Sequence, residues 1–326
     1  MRQDLVLPHL IDYLHDTCGI CDSDMTIIIA NGTHDGDGPE ILAQLVSPEV
    51  MRRVEVVNHD CTAEDLVLIG TTSRGTCLRI HPLAASRKVI TLGASTHHVM
   101  AGFGGGRKSI LPGVASLEAI RQNHALALDP ENPRSNPLIG NAVLEGNPIH
   151  EDMCEGAAFL KDVFTINLVM NPDMELAHIL SGDRFESWSR ACVLADRMYT
   201  VHIPCQADAV IAGCGGFPKD MSLYQGSKVI DNVEPALKNG GTLILIAECR
   251  DGGGPAEYFD WLRPLKEGTL DNELRKNFTI PGYIFYLNCE QAQRYRIIML
   301  SDISPEDAGE MGIEVYKSMD DLLAAA

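Results

Sequence analysis

Short apolar, β-branched runs punctuate the first part of the chain: Met25-Thr-Ile-Ile-Ile-Ala30, Val54-Glu-Val-Val57, Leu66-Val-Leu-Ile69, Cys77-Leu-Arg-Ile80 and Val89-Ile-Thr-Leu92. Runs of this length read as strands, and an unbroken one such as the first suits a parallel strand buried on both faces. Helical spacing precedes the first run over 5–15, and further helical patterns fall over 39–46 and 48–53. Strands alternating with helices argue for a doubly wound α/β sheet. Loop, helix and strand follow from 147 to 170, and 184–199 reads as one helix. The pattern restarts after Val201-His-Ile-Pro204, where Ala209-Val-Ile-Ala-Gly213, a glycine-rich turn, a helix from about Tyr224 and Gly241-Thr-Leu-Ile-Leu-Ile246 compose a β-α-β unit. The expected fold is therefore α/β, with two α/β domains, 1–200 and 201–326, each with a mainly parallel, doubly wound sheet. No internal repeat or low-complexity tract interrupts them.

Composition narrows the function classes. Hydrophobic residues make up 45% and charged residues 22%, which is ordinary for a globular protein able to bury real cores. The 26 Lys and Arg against 45 Asp and Glu give a net charge of −19, which opposes nucleic acid and anionic membranes. The N-terminus does not read as a signal peptide, and no apolar run approaches the roughly 20 residues that span a bilayer, so a cytoplasmic location is expected. Ten cysteines are scattered, without a disulfide framework. Cys18-Gly-Ile-Cys21 is a lone CxxC with no second pair; zinc or redox chemistry there competes with two incidental thiols.

The densest chemistry lies in His97-His98-Val-Met-Ala-Gly102-Phe-Gly104-Gly105-Gly106-Arg107-Lys108-Ser109-Ile-Leu-Pro112-Gly113. Glycines let backbone N–H groups approach an anion, and Arg107 and Lys108 add positive charge. The register is not that of a Walker phosphate loop, because Arg107 separates Gly106 from Lys108-Ser109, and arginine stands where a dinucleotide fingerprint needs its third glycine. Val114, Leu117 and Ile120 then space a short helix with His124 at its far end. His34 follows the first strand, where open α/β sheets gather ligands. Gly70-Thr-Thr-Ser-Arg74-Gly75-Thr76 offers hydroxyls and a guanidinium to a phosphate or carboxylate, with a polar hairpin turn as the equal alternative. Gln225 and Lys228 share a helix face near its start, where they could grip a carboxylate or simply be solvated.

The stretch from His98 through Lys108 to Asn123-His124 resembles the signature of the lactate racemase family, which depends on a nickel-pincer nucleotide. The resemblance extends to Gly32-Thr33-His34, to Leu223-Tyr224-Gln225 with Lys228, and to Ile297-Ile-Met-Leu-Ser301-Asp302. His59-Asp60 also resembles a family segment and receives no catalytic role. The resemblance implies a racemase or epimerase of a lactate-like 2-hydroxy acid, acting in a cleft between the two domains by hydride transfer. The cofactor would be a pyridinium-3-thioamide-5-thiocarboxylic acid mononucleotide linked to Lys108, its carbon and two sulfurs binding nickel with His124. Arg74, Gly105 and Gly106 would help bind that cofactor, Gln225 and Lys228 the substrate carboxylate, and His34 and His98 would act as acid and base. Its partners would be the hydroxy acid and the cofactor-synthesis proteins. Hydride transfer suits the problem, because an α-hydrogen beside a carboxylate is a poor acid, and two near-neutral histidines suit the hydroxyl proton on either face.

The sequence departs from the family in three places. An upstream Asp-His-Thr-Arg-Pro stretch is absent and the chain reads as an N-terminally shortened member; Asp35-Gly36 replaces Arg-Pro after His34; and Thr96-His97 replaces Glu-Pro before His98. Poor activity and poor cofactor loading are the expectation. The competing readings are an inactive or cofactor-binding paralogue and a metal-independent phosphate-binding transferase.

Overall fold

A computed structural model describes residues 2–326. It divides into two compact units: 1–123 with 138–200, and 124–137 with 201–326. The segment His124–Pro137 thus groups with the second unit rather than with its sequence neighbours.

In the first unit the strands form small sheets. β1 (Thr26–Ile29) pairs in parallel with β2 (Glu55–Asn58), and β3 (Val67–Thr71) forms an antiparallel hairpin with β4 (Cys77–Ile80). β5 (Val89–Ala94) continues into the short β6 (His97–His98) and β7 (Gly102–Phe103), themselves an antiparallel hairpin. β5 also lies parallel to β8 (Val163–Met170), which carries β9 (Leu176–Asp183) antiparallel on its other edge. Helices Gln3–Asp12, Pro39–Val46 and Pro48–Arg53 bury Leu7, Ile11, Val46 and Val50, with Val54, against Ile27, Ile29 and Val56 of the first sheet. Proline at the first turn suits both of the latter two helices, since it has no N–H to leave unsatisfied. The amphipathic helix Glu186–Tyr199 closes the far side, packing Trp188, Ala191, Cys192 and Ala195 on Phe103 and Val169.

The second unit is built on a four-stranded, wholly parallel sheet of β10 (Ala207–Gly213), β11 (Leu237–Ile246), β12 (Arg296–Leu300) and β13 (Ile313–Tyr316), in sequence order. Ile297, Ile298 and Met299 are consecutive and fully buried, so β12 is covered on both faces. Leu322 of the last helix, Met319–Ala325, packs on Ile244 and Ile298. Among the described residues, no helix is long and apolar enough to cross a membrane. All ten cysteines are free thiols, Cys18 and Cys21 exposed.

Candidate active site

Lys108 sits on a single 3-10 turn, Gly106–Ser109, at the end of the glycine stretch. The conformation of that turn follows from its neighbours. Gly105 and Gly106 have φ of +71° and +52°, and a Cβ on Gly106 would lie 2.6 Å from the Trp188 ring. A Cβ on Gly105 would meet the Ser95 hydroxyl at 2.9 Å and the Ala94 carbonyl at 3.0 Å, at the end of β5. Both glycines are therefore accounted for by close packing of protein on protein, in addition to any ligand they would admit.

Arg107 points inward, with 2% of its surface exposed. Its guanidinium donates to the Ala101 carbonyl (2.6 Å), the Phe103 carbonyl (2.9 Å) and His150 Nδ1 (3.1 Å), and it stacks on Trp188 at 3.9 Å. Trp188 in turn donates its indole N–H to the Gly104 carbonyl at 2.7 Å. Sequence reasoning counted Arg107 as positive charge offered to an anion; the structure instead turns the side chain inward, where it is buried and donates from all three of its nitrogens to His150, Phe103 and Ala101. Burial lowers its pKa to about 10, so it stays charged at neutral pH. Burial, then the neighbouring guanidinium, lowers the His150 pKa to about 4, so the ring is a neutral acceptor at Nδ1. Arg107 thereby bolts the turn that carries Lys108 to the β6–β7 hairpin that carries His98.

His98 Nδ1 accepts the backbone N–H groups of Met100 and Ala101, each at 3.2 Å. These contacts place the proton of a neutral ring on Nε2, so accepting a proton at Nε2 requires the ring to give them up. His34 is exposed on the turn after β1. Its loop is tied in place by Asn31 to Asn58 (3.3 Å) and to the Asp35 carbonyl (3.1 Å). The Gly32 N–H also donates to the Gly113 carbonyl at 3.0 Å, so the His34 loop meets the chain five residues beyond Lys108. His97, beside His98, pairs with Asp196 at 3.0 Å.

Helix Leu117–Ala125 carries His124, which is 4% exposed, and the division between units falls between Asn123 and His124. Asn123 is anchored by its amide to Asp152 at 2.8 Å and to the Ile149 carbonyl at 3.2 Å. Asp152, fully buried on helix Pro148–Ala158, also accepts the hydroxyls of Thr72 (2.5 Å) and Thr76 (2.7 Å). Residues 70–76 are thus a hairpin turn fastened to that helix. Arg74 pairs with Glu151 at 2.5 Å, and Ser73 binds Glu155 through both its N–H and its hydroxyl. An anion at Arg74 has to compete with Glu151. Sequence inspection missed Asp152, Trp188 and His150, because their partners lie about 30 to 85 positions away.

In the second unit the helix expected from Tyr224 is two short pieces, Leu223–Gly226 and Lys228–Val233. Lys228 Nζ donates to Gln225 Oε1 at 2.6 Å, which leaves the Gln225 NH2 group and the remaining ammonium protons as donors. An array made only of donors is matched to a carboxylate. The Lys228 ammonium also lies 5.4 Å from the Tyr224 ring.

The chain matches known proteins along most of its length. The lactate racemase N-terminal domain family matches residues 1–136, and the lactate racemase C-terminal domain family matches residues 203–326. The chain is 32% identical over 265 residues to a lactate racemase of Thermoanaerobacterium thermosaccharolyticum, a match covering 81% of this chain and 60% of that protein. To the lactate racemase of Lactiplantibacillus plantarum it is 29% identical over 314 residues, 94% of this chain and 72% of the relative. The solved structure of the lactate racemase apoprotein from T. thermosaccharolyticum superimposes with a TM-score of 0.89 at 28% identity, covering 99% of this chain and 78% of that one. A Thermotoga maritima protein shares the fold at a TM-score of 0.69 and 17% identity, over 98% of this chain and 86% of its own. With both family domains matched along its length, the chain belongs to the lactate racemase family.

Proposed function

We propose that this chain racemises lactate or a similar 2-hydroxy acid, with a nickel-pincer nucleotide attached to Lys108 and nickel held by His124. The observation that carries this reading is the fastening of three segments to one another: Arg107 locks the Lys108 turn to the His98 hairpin, and Gly32 ties the His34 loop to Gly113. Family membership supplies the chemistry that such an arrangement would serve.

The residues fit the cofactor. Among the described residues no group of three or more His, Cys, Asp or Glu is arranged to hold a metal ion. A nickel ion on His124 therefore needs most of its donors from elsewhere, and a tethered pincer brings a carbon and two sulfurs. Imidazole suits nickel, and Lys108 is half-buried on a fixed turn, where its nitrogen would carry the thioamide link and be held still. When bound, the group would accept the substrate's α-hydrogen as hydride and return it.

The chain's own residues would do the rest. Gln225 and Lys228 would hold the carboxylate and so orient the stereocentre. His34 and His98 would take and return the hydroxyl proton from opposite faces, His98 after releasing the Met100 and Ala101 amides. The test is conversion of L-lactate to D-lactate, and the reverse, by the chain co-expressed with cofactor-synthesis proteins. Approach to the same mixture from both enantiomers is expected; no interconversion by nickel-loaded protein overturns the reading. His124→Ala is expected to fold and to lose its nickel.

A further inference from the structure

We infer that Asp231, held in place by buried amides, acts through its charge on Lys228 and tunes how strongly the Gln225 and Lys228 donor pair holds a carboxylate. This rests on the proposed carboxylate role of that pair.

Asp231 lies three residues beyond Lys228 on helix Lys228–Val233, so the two side chains share a face and attract each other. What fixes Asp231 is a chain of buried amides. Gln291, fully buried on helix Ile280–Arg294, donates to Asp231 at 2.8 Å. Gln291 accepts from the Asn288 amide at 3.0 Å, and Asn288 accepts from the Tyr258 hydroxyl at 2.7 Å. The Tyr258 ring, wholly buried, meets Tyr224 edge to face at 6.3 Å, and Tyr224 lies under the Lys228 ammonium. Asp231 is thus held by a buried network that runs through Gln291, Asn288 and Tyr258 to Tyr224 beneath the Lys228 ammonium, and it acts on that ammonium through its charge, one helical turn away, rather than through an ion pair.

A network of this kind fixes where the aspartate charge sits. The other charged or titratable groups acting on Asp231 are Glu234, Arg294 and Tyr283. Glu234 is itself paired with Arg294 at 2.5 Å and accepts from Tyr295 at 3.3 Å, which leaves Lys228 as the cation not already held by another carboxylate. Burial, with the nearby Glu234 adding to it, raises the Asp231 pKa to about 7. Below that pH Asp231 is neutral and the donor pair carries a net positive charge toward an anion. Above it, the aspartate offsets the ammonium, and carboxylate affinity falls. Burial also lowers the Lys228 pKa, and Asp231 opposes that shift, so removing the aspartate charge makes Lys228 easier to deprotonate.

The test is a titration of L-lactate into the full chain, followed by NMR at pH 6 and pH 8, for wild type, Asp231→Asn and Lys228→Met. In wild type the dissociation constant is expected to rise about fivefold from pH 6 to pH 8, the size of one screened unit charge near a protein surface. In Asp231→Asn that rise is lost and binding at pH 8 tightens by about the same factor. Reductive 13C-dimethylation reads Lys228 directly, and its pKa is expected to fall in Asp231→Asn. A wild-type pH response in Asp231→Asn, with lactate binding lost in Lys228→Met, overturns the role of Asp231 and leaves the carboxylate site standing. Equal binding by Lys228→Met and wild type, or no binding by wild type, overturns the site and this inference with it. Asp231→Ser, which removes the charge and adds no bulk, replaces Asp231→Asn if the latter does not fold.

Discussion

Two glycine-dense turns, one in each unit, use glycine for opposite reasons. Around Lys108, protein already occupies the space where side chains would be: the Val143 carbonyl faces Gly102, the Ser95 hydroxyl faces Gly105, and the Trp188 ring faces Gly106. At 213–216, where β10 ends and the turn begins, a Cβ on Gly213 or Gly216 would meet nothing within 4 Å, and one on Gly215 would touch only the flexible Lys219 side chain. The first turn is a packed seat, the second an open loop whose glycines at 215 and 216 serve φ values of +83° and +71°. Glycine count alone therefore does not mark a ligand cradle. What distinguishes the Lys108 turn is the buried arginine that fixes it.

The comparison can be broken by substitution, beginning where the effect is largest. Gly106→Ala combines a strained φ with a Trp188 clash, and a loss of about 3 kcal/mol or more is expected in denaturant unfolding. A near-wild-type midpoint would mean that the seat is soft. Arg107→Met removes a buried cation but leaves the Ala101 and Phe103 carbonyls without their donor; about 2 to 4 kcal/mol is expected, with faster amide exchange from 98 to 110. Unchanged exchange there would show that Arg107 fixes nothing.

His150 gives a pH signature for the same seat. Its folded pKa of about 4 lies below the ordinary 6.5, so the unfolded chain binds the extra proton first as pH falls. The neutral ring costs nothing above pH 6.5, and stability is lost as pH falls from there to about 4, by up to about 3 kcal/mol. His150→Asn is expected to flatten that part of the stability profile; an unchanged slope would assign it to other groups. At the small end, Gly213→Ala, at the end of β10 where the open turn begins, is expected to shift stability by less than about 0.5 kcal/mol.

Much of the fold was legible in residue order, and the exceptions have physical causes. Strands β1, β2, β4 and β5 and the helices Pro39–Val46 and Pro48–Arg53 show in their apolar runs and in proline at the helix starts. Helix Ile280–Arg294 did not, because its residues 282–289 are buried on every side and present no amphipathic stripe. Strand Leu176–Asp183 did not, because it is a largely exposed edge with no alternation to read. Of the candidate site, Lys108, His98 and His124 are singled out by motif as expectations. The inward turn of Arg107 could not be, since two of its acceptors are backbone carbonyls and the others, His150 and Trp188, are remote in sequence. The paired state of Arg74 was hidden for the same reason.

The central claim is that this fixed turn presents Lys108 for covalent attachment of the cofactor. Its most direct test is the intact mass, followed by peptide mapping, of the chain co-expressed with cofactor-synthesis proteins, alongside Lys108→Ala. The account predicts a nucleotide-sized adduct confined to the peptide containing Lys108 and absent from the variant. An adduct that persists in Lys108→Ala, or an unmodified wild-type chain beside a lactate racemase loaded under the same conditions, would contradict it.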